Sequence, residues 1–158
     1  MYKQLAVLAL TILFLSSCKT VQQTYREPYW FVMAIAEEVE ISVDTTSIVH
    51  KDAVTYATEK RVYTTDVAKR KYVDKIKAEY ARMNKPQKAD KWKDFSYCIY
   101  HCLYECTNKR FMILSVEDFD STGKLIAKTT SAKGKERWLN IETETVGDYT
   151  FFFVCDFE

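Results

Sequence analysis

Hydrophobic positions change period several times along the chain, and each change marks an element. Tyr29 to Ser42 is apolar and β-branched, which predicts a strand, and Val43-Asp44-Thr45-Thr46-Ser47-Ile48 reads as a turn. Lys51 to Tyr63 alternates around Val54, Tyr56, Val62 and Tyr63 and predicts a second strand. Thr64-Thr65-Asp66 then supplies N-cap residues. Tyr72, Ile76, Tyr80 and Met83 recur at helical spacing, with Val73 beside them, until Asn84-Lys85-Pro86 ends the helix. Its other face holds Lys69, Arg70, Lys71, Lys75 and Lys77, either a solvated surface or a basic docking face.

The second half predicts a meander. Phe95 to Cys106 and Arg110 to Phe119 are strand-like and joined by Thr107-Asn108-Lys109. Asp120-Ser121-Thr122-Gly123 is a turn, and Lys124 to Thr130 returns as a further strand. Consecutive strands with short connections make an antiparallel meander. Ser131 to Glu136 is a polar loop, and Trp138 to Thr143 a short alternating piece. Thr145 to Phe157 carries Tyr149, Phe151, Phe152, Phe153 and Val154, the composition of a strand. Gly123, Gly134 and Gly147 all fall in predicted loops.

The N-terminus is an address. One cation, Lys3, precedes an apolar run from Leu5 to Leu15, then Ser16-Ser17-Cys18, the layout of a secretory signal. The run is too short to span a bilayer core of about 30 Å. Leu15-Ser16-Ser17-Cys18 resembles a bacterial lipobox. That resemblance implies cleavage before Cys18, a lipid on its thiol and an acyl group on the new amine. One acyl chain holds a protein to a membrane only marginally, and two or more anchor it stably. Residues 1–17 are thus expected to be the signal peptide, 18–28 a lipid-anchored tether and 29–158 a single domain. Lys19, rather than Asp, follows Cys18, which by resemblance to proteobacterial sorting rules favours the outer membrane.

Composition narrows the picture further. The 158 residues hold 23 Lys+Arg against 22 Asp+Glu, which excludes the basic footprint of a nucleic-acid binder. Loss of Lys3 with the signal leaves a neutral mature chain, so the lipid is expected to be its only hold on a membrane. Hydrophobic residues at 47% argue for a packed core rather than disorder.

Cys98, Cys102, Cys106 and Cys155 remain beside Cys18, in an exported chain where disulfides persist. Four cysteines allow three pairings, and sequence alone does not choose among them. A metal reading of Cys98, His101, Cys102 and Cys106 fails on geometry. Strand residues four apart share a face but sit about 13 Å from each other. Tetrahedral thiolate sites need bonds of about 2.3 Å. No metal or cofactor is expected. Only His50 and His101 could serve acid–base chemistry, and the motifs of hydrolases, phosphate-binding loops and zinc proteases are missing, so no enzymatic activity is expected. Glu37-Glu38, Glu40 and Asp44 lack the alternating Asp/Asn and Gly of a calcium loop.

The mature chain resembles the bacterial surface-adhesin protein E family. Val43-Asp44-Thr45-Thr46-Ser47-Ile48 is similar to that family's "I-D-x-x-S-I" segment. Cys106 is followed at a similar distance by Asp120 and Gly123, where the family has a Cys, then "Y-D" and often a Gly. Trp138-Leu139-Asn140-Ile141, Gly147-Asp148 and Val154-Cys155 look like the family's "W-x-x-I … G-E … V-C" ending. The resemblance covers about residues 29 to 157. It implies an α+β fold: a twisted antiparallel β-sheet of about five to six strands with the mid-chain helix. A C-terminal helix is pinned to the sheet by a disulfide, here Cys106–Cys155. The composition of 149–154 instead favours a strand, so the C-terminus is expected as helix or strand packed on the sheet. Cys98 and Cys102 would then be free thiols, the residue type of small buried hydrophobes.

The family's members are outer-membrane lipoproteins that bind host matrix and serum proteins such as laminin and vitronectin. The expectation is a lipid-anchored, cell-surface, adhesin-like protein-binding module, with Tyr56, Tyr63, Tyr97, Tyr100 and Tyr104 as candidate surface; sheet packing is the other reading of these tyrosines. The alternative is a periplasm-facing structural or assembly lipoprotein that contacts another envelope protein. A homodimer through paired sheet edges is a third possibility.

Overall fold

The computed structural model describes residues 26–132 and 134–158. The signal, Cys18 and most of the tether therefore lie outside the described residues. Six strands follow one another as a continuous antiparallel meander: β1 (Trp30–Ala36), β2 (Val39–Lys51), β3 (Val54–Tyr63), β4 (Phe95–Glu105), β5 (Arg110–Asp120) and β6 (Leu125–Thr130). A two-residue strand, β7 (Leu139–Asn140), pairs with the start of β5 beyond the reach of β6. Helix α1 (Asp66–Arg82) and a 310 segment (Pro86–Trp92) connect β3 to β4, and α2 (Val146–Cys155) closes the chain. The fold is α+β with an open sheet.

Both helices lie on one face. Residues directly opposite in paired strands point to the same side. Cys98, Tyr100, Cys102 and Tyr104 of β4 therefore share a side with Arg61, Glu59, Ala57 and Thr55 of β3, and with Val43 of β2. This side carries two neighbouring cores. Under α1 and the 310 segment, Trp92, Phe95 and Cys98 are buried with Tyr63, Tyr72, Val73 and Ile76 against them. Under α2, Val43, Ala57, Cys102, Tyr104, Phe151 and Val154 form the other. Tyr100 touches both.

Three expectations change. The strand expected over 29–42 is two strands, split at Glu37-Glu38. Both residues have positive φ (49° and 65°), and Ala36 pairs with Val39 across them. This is the backbone of a tight two-residue hairpin built without the usual Asn or Gly. The segment Val43–Ile48 lies within β2 and is not a turn between strands. Its turn chemistry is spent on an irregularity: Asp44 Oδ1 accepts from Thr46 N (3.0 Å), Thr46 Oγ1 (2.7 Å) and Tyr29 N (2.9 Å), and register with β3 shifts between Asp44 and Val49. The C-terminus is a helix, so Gly147 sits in its first turn rather than in a loop. Thr145 caps that helix by accepting from Asp148 N. Phe151 and Val154, three apart, are buried in the core, and Phe153 stacks on Phe31 at 4.9 Å.

Candidate protein-binding face

The opposite side of the sheet carries no helix among the described residues. The strand alternation decides which side chains it presents. On β4 they are Tyr97, Ile99, His101 and Leu103, the neighbours of the core-facing set. Across from Tyr97 stands Phe119 of β5, and across from Phe119 stands Leu125 of β6. The Tyr97 and Phe119 rings stack at 4.9 Å with 7° between their planes. Lys60 of β3 places its ammonium 4.6 Å from the Tyr97 ring centre and 5.6 Å from that of Trp30 on β1. A diagonal row thus crosses the sheet: Trp30, Lys60, Tyr97, Phe119, Leu125. A cation held between two aromatic faces is fixed in place while its outer side stays available.

Beside that row lies a charged one. Glu117 accepts from Lys128 Nζ at 2.7 Å and lies 3.6 Å from His101 Nε2. The hydrogen bond from Lys128 is the main reason the Glu117 carboxyl titrates below its ordinary range. Further along, Tyr56 is exposed beside Leu103, its partner across the strands, while Met112, opposite Leu103 on β5, is buried. The mixture is aromatic rings, one cation–π cation, an ion pair and aliphatic side chains on a rigid sheet. This composition suits protein recognition, where aromatic residues dominate contact energies.

The five candidate tyrosines divide between the two sides. Tyr56 and Tyr97 are on the uncovered face. Tyr63, Tyr100 and Tyr104 are on the helix-covered side and do not form a free surface there. Tyr63 packs against Tyr72 of α1 and Phe95 (both ring centres 5.1 Å away). Tyr100 lies under the Arg61 guanidinium at 4.1 Å. Tyr104 is 2% exposed, and its hydroxyl donates to Glu59, which also pairs with Arg61 at 3.0 Å. Burial raises the hydroxyl pKa of all three. Trp30, Lys60 and Phe119 escape a reading of the sequence, because only the cross-strand register brings them beside Tyr97. The parity of β4 was visible: Tyr100 and Tyr104 share it with Cys98 and Cys102, and Tyr97 does not.

The covered side fastens the two helices to the sheet. Cys106, just past the end of β4, is joined to Cys155 at the end of α2. Cys98 and Cys102 are free and buried. Burial pushes the Cys98 thiol up to about 12 and raises Cys102 well above its ordinary value, so both stay protonated and inert at neutral pH. His101 points away from them, toward Glu117 and Thr58. The Asp118 carboxylate accepts from Tyr72 OH of α1 at 2.7 Å and from Trp92 Nε1 at 2.8 Å, tying both helical pieces to β5. No helix among the described residues is long and apolar enough to cross a membrane.

The molecule therefore belongs to the open antiparallel meanders with helices on one face and a C-terminal helix pinned by a disulfide. Among solved structures it is similar to protein E of Haemophilus influenzae. Crystal form II of that protein aligns over 84% of this chain and 91% of that chain with a TM-score of 0.50 and 11% identity. The selenomethionine form aligns over 84% and 90%, with a TM-score of 0.49 and 12% identity. On the first alignment the chain has a protein E-like fold, and at that identity the likeness concerns the fold alone. No family model matches the chain, and no curated protein matches it.

Proposed function

We propose that the chain is a lipid-anchored, adhesin-like module of the bacterial outer membrane, displayed at the cell surface, that binds a protein partner through the uncovered face of its sheet. The observation that carries the reading is the row Trp30–Lys60–Tyr97–Phe119–Leu125, held rigid by stacking and cation–π contacts. The lipobox-like Ser16-Ser17-Cys18 and the protein E-like fold support the location and the general role. A host matrix or serum protein is the partner class the resemblance favours.

Protease shaving of intact cells, with permeabilised cells as control, tests the display. Loss of the chain from intact cells supports it. Loss only after permeabilisation overturns it and leaves a periplasm-facing assembly lipoprotein. A screen of matrix proteins with the wild type and with a Trp30→Ala/Tyr97→Ala variant tests the face. The variant is expected to lose binding by about tenfold or more, since aromatic anchors cost roughly 1–2 kcal/mol or more when truncated. Equal binding by both proteins would place the contact elsewhere on the molecule.

A further inference from the structure

We infer that the helical layer, α1 with the 310 segment, is a docking surface for an anionic bilayer, and that the sheet stands between this surface and the uncovered face. The inference rests on the lipid-anchored reading above, and it reverses the expectation that a neutral mature chain has only its lipid to hold it to a membrane. Neutrality here is an average over two opposed regions. Residues 64–94, the whole connection between β3 and β4, hold ten Lys/Arg against five Asp/Glu. The rest of the mature chain, residues 18–63 and 95–158, holds twelve against seventeen.

The structure leaves those cations free. Within the connection, Lys77 pairs with Asp74 and Arg82 with Glu79. The other eight, Lys71, Lys75, Lys88 and Lys91 among them, have no carboxylate partner within 4.0 Å among the described residues. Elsewhere Arg61, Lys109, Arg110 and Lys128 are each matched to a carboxylate. The inner side of α1 (Tyr72, Val73, Ile76, Tyr80) is committed to the core, so its charged remainder points outward.

The distribution favours a broad anionic plane over a discrete anion. The groove of about 480 Å³ between α1 and the 310 segment is the obvious cleft, and its rim is nearly balanced: Lys69, Arg70, Lys77 and Lys93 against Asp66, Asp74 and Asp90. Lys71, Lys75, Lys88 and Lys91 instead lie outside that rim, and all four are exposed. Clusters of Lys and Arg held near anionic headgroups bind them additively, and the attraction fades within a Debye length. Residues 19–28 would span at most about 35 Å, so an anchor at Cys18 keeps the layer within reach of the headgroups. Because both helices share one side of the sheet, seating that side on the bilayer turns Trp30, Tyr97 and Phe119 away from it.

Vesicle flotation of the chain carrying Cys18→Ser reads this surface without a lipid. Binding to vesicles of phosphatidylglycerol and phosphatidylethanolamine is expected to exceed binding to phosphatidylcholine vesicles by about tenfold, and to vanish at about 0.5 M salt. Substituting Lys71, Lys75, Lys88 and Lys91 together by Gln is expected to abolish the difference. The same change at Arg26, Lys51, Lys135 and Arg137, all exposed and outside the layer, is expected to leave it within about twofold. Circular dichroism confirms that both variants remain folded. Equal binding to both vesicle types, equal loss from both variants, or binding to soluble polyglutamate without binding to vesicles would each overturn the inference. Palmitate labelling at Cys18 reports separately on the anchor, so its failure is distinguishable from failure of the surface.

Discussion

The two helices rest on the same side of one sheet but are held by different means. Helix α1 has 17 residues and α2 has 10. The longer one is fastened without covalent help: its aromatic face packs on Phe95 and Cys98, and Tyr72 with Trp92 converges on a single buried acceptor, Asp118. The shorter one is below the length at which an isolated helix is more than marginal. It is held by the Cys106–Cys155 bond at one end and by Lys109–Asp148 (2.7 Å) near the other, with Phe151 and Val154 between. A longer helix can rely on packing alone, and a short one is held by a staple as well.

Removal of the disulfide is expected to separate the two helices most. Cys106→Ser with Cys155→Ser opens a loop defined by a sequence separation of 49. The loss is expected to be about 4 kcal/mol in the chain-entropy picture, read by urea unfolding. Hydrogen exchange should show α2 losing protection first while α1 keeps its own. Simultaneous loss in both helices would mean that the two cores are one unit.

The corresponding break on the α1 side is Asp118→Ala. It leaves Tyr72 OH and Trp92 Nε1 without their acceptor, at an expected cost of about 3 kcal/mol. Asp118→Asn keeps one acceptor oxygen and is expected to cost about 1 kcal/mol or less, which separates the hydrogen bonds from the charge.

Acid should tell the two fastenings apart. Burial raises the Asp118 carboxyl in the fold. Its contribution is therefore most favourable at low pH, where it is protonated, and weakens as pH rises through the raised value. Asp148 goes the other way. Its hydrogen bond from Lys109 is the largest cause of a lowered value, so its stabilisation is present above the ordinary carboxylate range and is lost as pH falls through the folded pKa. Hydrogen exchange corrected for intrinsic rates, compared at about pH 3 and about pH 6, should show acid loosening α2 more than α1.

The smallest effect concerns the hairpin that separates β1 from β2. Glu37 occupies positive φ (49°), a conformation Asn adopts more readily. Glu37→Asn is expected to stabilise by about 0.5 kcal/mol in thermal unfolding. Glu38 is left alone because its carbonyl accepts from Thr64 N (2.9 Å) and its carboxylate accepts from the Thr65 hydroxyl, which joins this hairpin to the cap of α1.

What could be read from the sequence follows the same division. The strands around Tyr56, Cys98 and Val116 and the helix around Tyr72 carry clean periods, because each buries one side and exposes the other. The β1–β2 hairpin was invisible because its turn uses two glutamates where a hairpin normally shows Asn-Gly. Asp44-Thr45-Thr46-Ser47 does make turn-type hydrogen bonds, but β2 spends them on an internal irregularity. The Phe-rich end has strand propensity, and the cap at Thr145, the burial of Phe151 and Val154 and the bond to Cys106 override it. The candidate face was half legible: parity separates Tyr97 from Tyr100, while the neighbours that make Tyr97 part of a row come from β1, β3 and β5 and need the register.

In the proposed arrangement the uncovered face meets a protein partner while the helical layer meets the membrane. Photo-crosslinking in living cells tests it in one measurement, with a photoreactive residue in place of Tyr97 in one strain and of Lys71 in another. Protein adducts are expected from position 97 and lipid adducts from position 71. Protein adducts from position 71 with none from position 97 would contradict it.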